Sequence, residues 1–437
     1  MIIENSSNWL TTKIKFISTV ISGGTPQSTN PDYWDGSVPW LTPVDLGKKG
    51  SEKISSSDRK ITDAGVAAAG LSILPVGSIV ISTRAPIGSM GLLACEATTN
   101  QGCKAIVPDS RKIESKFAYY FTLNNAEKFQ SLGVGTTFFE LSTYSLKNFK
   151  INLPSVEEQH RIAAYLDDQT AKIDRLMDLR RRQIALLKEQ RAALIQQAVT
   201  RGLNPNIPMK DSGLPWLGEI PAHWSIVPLS RLAIQLQTGP FGSQLHAHEY
   251  VEGGIPIINP SHMVEGLIQH DPKCTVDEVT ARRLDRHFLK YGDILFARRG
   301  EIGRCALVRT EEIGWLCGTG SLLMQPDTQI LVPAYLVMLF QLIRLKESLT
   351  LQSVGSTMDN LNTGILSQFR LVLPPLDEQA QILSFIEKQR EQFEVLCSAY
   401  SRQLTLLAEY RAALIHECVT GRRPVPDHFD PGVYEND

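Results

Sequence analysis

The sequence predicts an α+β chain with two globular domains of mixed α/β structure, separated by two long antiparallel coiled-coil helices, in an internal pseudo-twofold repeat. Three observations predict this. One stretch of sequence recurs at a constant offset of 220 residues. Two long proline-free runs carry an apolar stripe at helical spacing. The segments ahead of those runs match each other more loosely, and glycine and proline punctuate short β-like runs within them.

The repeat sets the architecture. LPSVEEQHRIAAYLDDQ from Leu153 matches LPPLDEQAQILSFIEKQ from Leu373, and RAALIQQAVT from Arg191 matches RAALIHECVT from Arg411, both at an offset of 220. A fixed offset over that length means no insertion or deletion, as in an uninterrupted helix, where a slip would rotate the apolar face. Upstream, Trp9 pairs with Trp224, and VGSIVISTRAPIG from Val76 with YGDILFARRGEIG from Tyr291, both at 215. VPWLTPVDL from Val38 pairs with IPIINPSHM from Ile255 at 217, while Gly135 pairs with Gly355 and Phe149 with Phe369 at 220. That drift marks loops that gain and lose residues.

The chain divides accordingly. A first domain covers 1–152, a central helical spacer 153–203, and a linker rich in Gly, Pro and Asn 204–221. A second domain covers 222–372, a distal helical spacer 373–421 and a C-terminal tail 422–437. Each domain holds short β-like runs, near 78–82 and 293–297, and a helix near 116–130 or 334–349. The strand order stays open.

The spacers read as helices. No proline occurs between Pro154 and Pro205, or between Pro375 and Pro424. Each run opens just after proline with an acidic pair, Glu157 and Glu158 or Asp377 and Glu378, which suits the positive end of a helix dipole. Ile162, Leu166, Ile173, Leu176, Ile184, Leu187, Leu194 and Ala198 form the first stripe; Ile382, Ile386, Phe393, Leu396, Leu404, Leu407 and Leu414 form the second. At ~1.5 Å per residue each helix is roughly 65 Å long. Two equal helices in one chain bury such stripes most simply against each other, as an antiparallel pair with a domain near each end.

Bulk composition narrows the class. The 437 residues suffice for two or three domains, and 43% hydrophobic with 21% charged residues is ordinary for a globular protein. No apolar run approaches the ~20 residues that span a bilayer. MIIENSSNWL lacks the basic-then-apolar pattern of a secretory signal, so the expected setting is the cytoplasm, with no membrane partner. The seven cysteines are odd in number and form no C-x-x-C pair, which argues against disulfides and a zinc ribbon. The net charge of -2 leaves nucleic acid open, because residues 1–152 carry 15 Lys and Arg against 12 Asp and Glu, and a basic face hides easily inside a neutral total.

Neither copy carries a complete catalytic motif. An adenine methyltransferase would carry N-P-P followed by an aromatic residue; the nearest string, Asn259, Pro260, Ser261 and His262, reads as a turn after a strand. There is no G-x-x-x-x-G-K-S/T, and Gly318, Thr319 and Gly320 stop short of a dinucleotide loop. Pro108 and Asp109, followed by Glu114 and Lys116, resemble a nuclease metal site, but the second copy lacks the second acid and the lysine, which favours a strand end and a helix cap. His246, His248 and Glu249 lack a further ligand at metal spacing. The expectation is therefore no catalytic residue, no metal and no cofactor.

LPSVEEQHRIAAYLD, LPPLDEQAQILSFIE, the repeated RAALI and WLGEIPAHW resemble the hallmark segments of type I restriction–modification specificity subunits, over nearly the whole chain. The twofold L-P-x-x-E-Q-x-x-I before long helices is the most specific of these. WLGEIPAHW is complete only before the second domain; only the tryptophan of NWLTTKIKF stands before the first. The resemblance implies two target-recognition domains, each reading half of a bipartite asymmetric site in double-stranded DNA. It implies helices that act as a ruler and dock two methyltransferase subunits, which restriction (motor) subunits then join. AdoMet, ATP and magnesium would sit on those partners only. Glu158, Gln159, Ile162, Glu378, Gln379 and Ile382 are the docking candidates.

Direct reading of bases needs paired donors such as Arg on guanine, whereas phosphates accept from Lys, Arg, Ser, Thr and backbone N–H. Arg84 and its counterpart Arg299, beside Arg298, follow a β-like run and precede a glycine-containing turn. Thr136 with Thr137, and Ser356 with Thr357, follow Val–Gly in both copies. Lys104, Arg304 and Gln244 are looser candidates. Readers of different half-sites should differ, so positions shared by both domains are expected to grip phosphate or serve as scaffold, and a repeated arginine also reads as a structural salt bridge. Two other classes stay open. A self-sufficient nuclease or methyltransferase would show AdoMet binding or metal-dependent cleavage by the isolated chain, and a coiled-coil structural protein would bind no DNA even with partners supplied.

Overall fold

The computed structural model describes residues 9–46, 53–84, 86–134, 139–241, 244–353 and 361–426. The chain forms two compact units, residues 1–182 with 400–437, and residues 183–399.

In the first unit, β1 (Ser18–Ser22), β2 (Ile79–Ser82), β3 (Met90–Leu93) and β4 (Cys103–Pro108) form a sheet in the order β1-β4-β2-β3, all antiparallel. The short strand Lys53–Ile54 adds to β3 in parallel. Alternation along β2 feeds two cores: Ile79 and Ile81 join Phe117 and Tyr120 of helix α1 (Ser115–Asn124), while Val80 joins Leu41, Leu74 and Ala105 on the other face. The second unit repeats the plan. Its β5 (Ala233–Thr238), β6 (Ile294–Ala297), β7 (Cys305–Leu307) and β8 (Ser321–Pro326) run β5-β8-β6-β7, again antiparallel. Ile294 and Phe296 enter one core, Leu295 and Ala297 the other.

Each domain is closed by its own ends, Leu10–Lys13 pairing with Lys150–Leu153 and Ser225–Pro228 with Arg370–Leu373. The helix expected near 116–130 is two, α1 and Ala126–Ser131, because the Asn125 side chain donates to the Phe121 carbonyl and ends the first. The counterpart near 334–349 is likewise split into Pro333–Leu339 and Ile343–Ser353.

The long helices are α2 (Val156–Arg201) and α3 (Leu376–Val419). In the first unit the start of α2 buries Ile162, Leu166 and Ile173 with Leu414, Ile415 and Cys418 from the end of α3. There Arg411 donates twice to Asp174, at 3.1 and 3.3 Å. In the second unit the end of α2, through Ala198 and Val199, shares a core with Ile382 and Ile386 from the start of α3. The pairing is antiparallel in both. Leu176 and Leu396, expected in the buried stripe, stand half exposed. A helix of 3.6 residues per turn drifts ~20° per heptad from a 3.5-residue stripe, so mid-helix positions rotate outward.

The segment 204–221 is more than a linker. Met209–Asp211 pairs antiparallel with Glu219–Pro221, Ile220 is buried in the second core, and Trp216 stacks on Phe369 with centroids 6.4 Å apart. Gly213 and Gly218, at φ of 69° and 74°, supply the turns that composition had marked as a boundary. Among the described residues no helix is long and apolar enough to cross a membrane.

One buried group gives the second unit a pH dependence. His287 is 1% exposed; its Nε2 accepts from Arg286 Nε at 3.1 Å, and its Nδ1 has no partner among the described residues. Burial, then the Arg286 charge, pushes its pKa down to about 4. The unfolded imidazole titrates near 6.5, so between these values the unfolded state binds the extra proton. Its contribution to stability is complete above about pH 6.5 and declines towards pH 4, by up to about 3 kcal/mol, while the buried Asp293 carboxyl, raised to about 6, titrates in the same window with the opposite sign. Melting curves of the wild type and His287→Asn across that window check this: relative to the variant, the wild type should lose stability as the pH falls, and an equal slope in both contradicts it.

Candidate nucleic-acid interface

One edge of each central sheet gathers Arg84 and Lys104 in the first unit and Arg298 and Arg299 in the second. In the first unit the Gly23 N–H donates to the Cys103 carbonyl at 3.2 Å and the Thr83 N–H to the Gly102 carbonyl at 2.8 Å, so the loops after β1 and β2 flank the loop that enters β4. In the second, the Gly239 N–H donates to the Ser321 carbonyl and the Arg298 N–H to the Gly320 carbonyl, each at 2.9 Å. Glycine is required where these loops touch. A Cβ on Gly23 would lie 2.1 Å from the Asn100 carbonyl oxygen, and one on Gly239 would lie 1.9 Å from that of Gly318. A further segment joins each edge: the Leu141 N–H donates to the Thr83 carbonyl and the Leu361 N–H to the Arg298 carbonyl, both at 2.9 Å.

The arginines beside these joints differ. Arg84 is exposed but its Nε donates to Glu140 Oε2 at 3.1 Å. Lys104 also reaches Glu140, at 3.0 Å, and the Leu141 carbonyl, at 2.8 Å. Burial opposes ionisation of Glu140, but hydrogen bonds from Lys104 and Arg84 outweigh it and hold the carboxyl below its usual range. Lys104 is therefore corrected from DNA contact to scaffold: it is 4% exposed and its donors point inward. In the second unit the Arg298 Nε donates to the Leu361 carbonyl at 3.3 Å, the role Lys104 takes in the first. Arg299, the counterpart of Arg84, is exposed, and no carboxylate among the described residues pairs with it.

Arg304 belongs to its own loop. It donates to Glu301 at 2.7 Å and to the Pro260 carbonyl at 3.2 Å. Lys346 donates to the same Glu301, and these hydrogen bonds, Lys346 first, bring the Glu301 pKa down to about 2. Gln244 is half-exposed, its Oε1 accepting from the Phe241 N–H at 3.2 Å within its own loop. Thr136, Thr137, Ser356 and Thr357 lie outside the described residues.

The acids of the apparent nuclease pattern are committed locally. Asp109 accepts from Arg111, Glu114 caps α1 through the Phe117 N–H at 2.6 Å, and Lys116 pairs with Asp167. Glu249, beside His246 and His248, is held by Arg283. Asn259 opens a single turn, its N–H donating to His262 Nδ1 at 3.2 Å.

Four of the six docking candidates face inward. Gln159 is fully buried; its Oε1 accepts from the Glu114 N–H at 2.8 Å and its Nε2 donates to the carbonyls of Lys112 and Pro154 at 3.2 and 2.9 Å. Gln379 repeats this, accepting from Val332 N–H at 2.8 Å and donating to Ile330 and Pro374 at 3.0 and 2.9 Å. Ile162 and Ile382 lie in the two cores. These four side chains bolt each domain to its helix, a correction to their reading as partner contacts. Glu378 is half-buried, with Oε2 accepting from Trp224 Nε1 at 2.9 Å and Oε1 lying 2.6 Å from His223 Nε2. That contact explains the end of WLGEIPAHW. Glu158 is half-exposed, its N–H donating to Ser155 Oγ at 3.2 Å.

The sequence reading missed Arg59. Its guanidinium lies 4.0 Å from the ring centroid of Trp34 and 5.1 Å from that of Trp40. Two tryptophans an even number of residues apart on one strand were the available signal.

The family described as "Type I restriction modification DNA specificity domain" matches residues 6–186 and again 237–395, once in each half. The chain belongs to that family. Among its relatives, the type I restriction enzyme MjaIX specificity subunit of Methanocaldococcus jannaschii is 26% identical over 425 residues, covering 96% of this chain and 94% of that one. Two solved structures share the fold of this family member. One comes from a study of complex assembly and conformational transition in a type I R-M system, with a TM-score of 0.70 at 17% identity, covering 94% of this chain and 97% of that one. The other is the HsdS subunit from Thermoanaerobacter tengcongensis, with a TM-score of 0.58 at 17% identity, covering 96% and 98%.

Proposed function

We propose that this chain is the specificity subunit of a type I restriction–modification complex, its two target-recognition domains (1–152 and 222–372) each reading half of a bipartite asymmetric site in double-stranded DNA. The matching sheet edges, one per copy of the specificity domain and each carrying an exposed arginine, carry this reading. The chain performs no chemistry of its own; it acts in the cytoplasm, and AdoMet, ATP and magnesium belong to its partners. Two methyltransferase subunits dock on the long helices, whose length sets the half-site spacing, and restriction subunits join them. With Gln159, Ile162, Gln379 and Ile382 turned inward, docking falls to Glu158 and to exposed apolar side chains of the helices such as Leu176, Leu179 and Leu406.

Arg299 is the position to test. It lacks a carboxylate partner among the described residues and occupies a position shared by both domains, so it grips phosphate rather than a base. In the complex with the methyltransferase, Arg299→Ala should weaken binding about equally on all sequences, roughly fivefold near 0.15 M salt, and reduce the salt slope by about 0.9. Loss at a single base pair would make Arg299 a base reader. Unchanged affinity with a lower melting temperature would remove it from the interface.

A further inference from the structure

We infer, on the DNA-reading assignment above, that Arg59 is a base-reading, specificity-determining residue of the first domain, with a guanine as its target. The side chain is exposed, and no carboxylate among the described residues pairs with it. Its guanidinium is stacked over Trp34, which meets Trp40 edge to face with centroids 5.1 Å apart. The platform is fixed to the sheet edge. Trp40 is buried, and its Nε1 donates to the Gly24 carbonyl at 2.9 Å; Trp34 Nε1 donates to the Gln27 carbonyl at 3.2 Å. Gly24 directly follows Gly23 at the joint with β4, and its own N–H donates to the Thr99 carbonyl at 2.9 Å.

This arrangement suits a base better than a phosphate. A free arginine loses ~2 kcal/mol of rotamer entropy when it is fixed. Stacking on an indole face removes much of that freedom before binding, and the planar N–H fork is the donor pair that bonds twice to guanine O6 and N7. The feature also differs between the domains, as a reader of unlike half-sites must. At the offset of 217 that aligns the two copies, Trp40 becomes Ile257 and Trp34 becomes Val251. Among the described residues of the second unit no arginine lies over an aromatic ring.

The test uses the full chain in complex with its methyltransferase partner. Methylation rates are measured on duplexes in which each base pair of the two half-sites is replaced singly. A wild-type complex that shows no bipartite site overturns the DNA-reading assignment itself, and this inference with it. Given such a site, Arg59→Ala should lower the preference for one G·C pair in one half-site by roughly 5- to 150-fold, leaving the other half untouched. Arg59→Lys should behave in the same way, since an ammonium keeps the charge but not the fork. Preferences that stay unchanged, or rates that fall evenly and are restored by Arg59→Lys, overturn the inference. Should Arg59→Ala melt early, Trp34→Leu keeps the guanidinium and removes its platform: relaxed preference at the same pair supports the inference, and unchanged preference overturns it.

Discussion

Replacing Gln379 with leucine should destabilise the second unit by about 3–6 kcal/mol, although no charge and little volume change. The wild-type amide is fully buried and makes three hydrogen bonds, one from the Val332 N–H and two to the Ile330 and Pro374 carbonyls. Leucine fills the space but leaves those three backbone groups without partners; the Pro374 carbonyl is buried and the Val332 and Ile330 groups are partly so, which keeps the sum below the full cost of about 1–3 kcal/mol for each buried group. The effect is a local unlocking, because Gln379 sits at the start of α3 and Val332 immediately precedes a helix of the domain. Calorimetry of Gln379→Leu, with hydrogen exchange at the Val332 amide, checks it. Gln159→Leu should do the same in the first unit, exposing the Glu114 amide. Methyltransferase binding by either variant, measured well below its melting temperature, should match the wild type. A change in stability below 1 kcal/mol together with loss of partner binding would return these glutamines to the docking surface.

That junction shows what the sequence makes legible. The E-Q step was visible because the helices that follow tolerate no insertion, so the repeat keeps its offset across them. Its job was not visible, because the groups it binds on Lys112 and Ile330 lie 47 and 49 residues away in the chain. The long helices were readable from period and proline spacing. Strand order was not: Ile79–Ser82 and Ile294–Ala297 are buried on both faces, so the alternation that reports a sheet's orientation is lost. Composition misled at 204–221, where glycine and proline serve hairpin turns packed on a core. At the sheet edge, the shared arginines were legible because repetition points to them. Lys104 was misread because a lysine in a strand gives no sign that Glu140 and the Leu141 carbonyl wait behind it. Arg59 was missed because stacking joins residues that sequence period does not relate.

Adenine methylation across a genome reports the choice of DNA site directly. It should be mapped in cells carrying the partner methyltransferase, with and without the gene for this chain. The expected result is all-or-none: a split, asymmetric motif methylated only when the chain is present, its two halves assigned to the two recognition domains. If no motif depends on the chain while the same methyltransferase remains active with another specificity subunit, the central claim that this chain chooses the DNA site is contradicted.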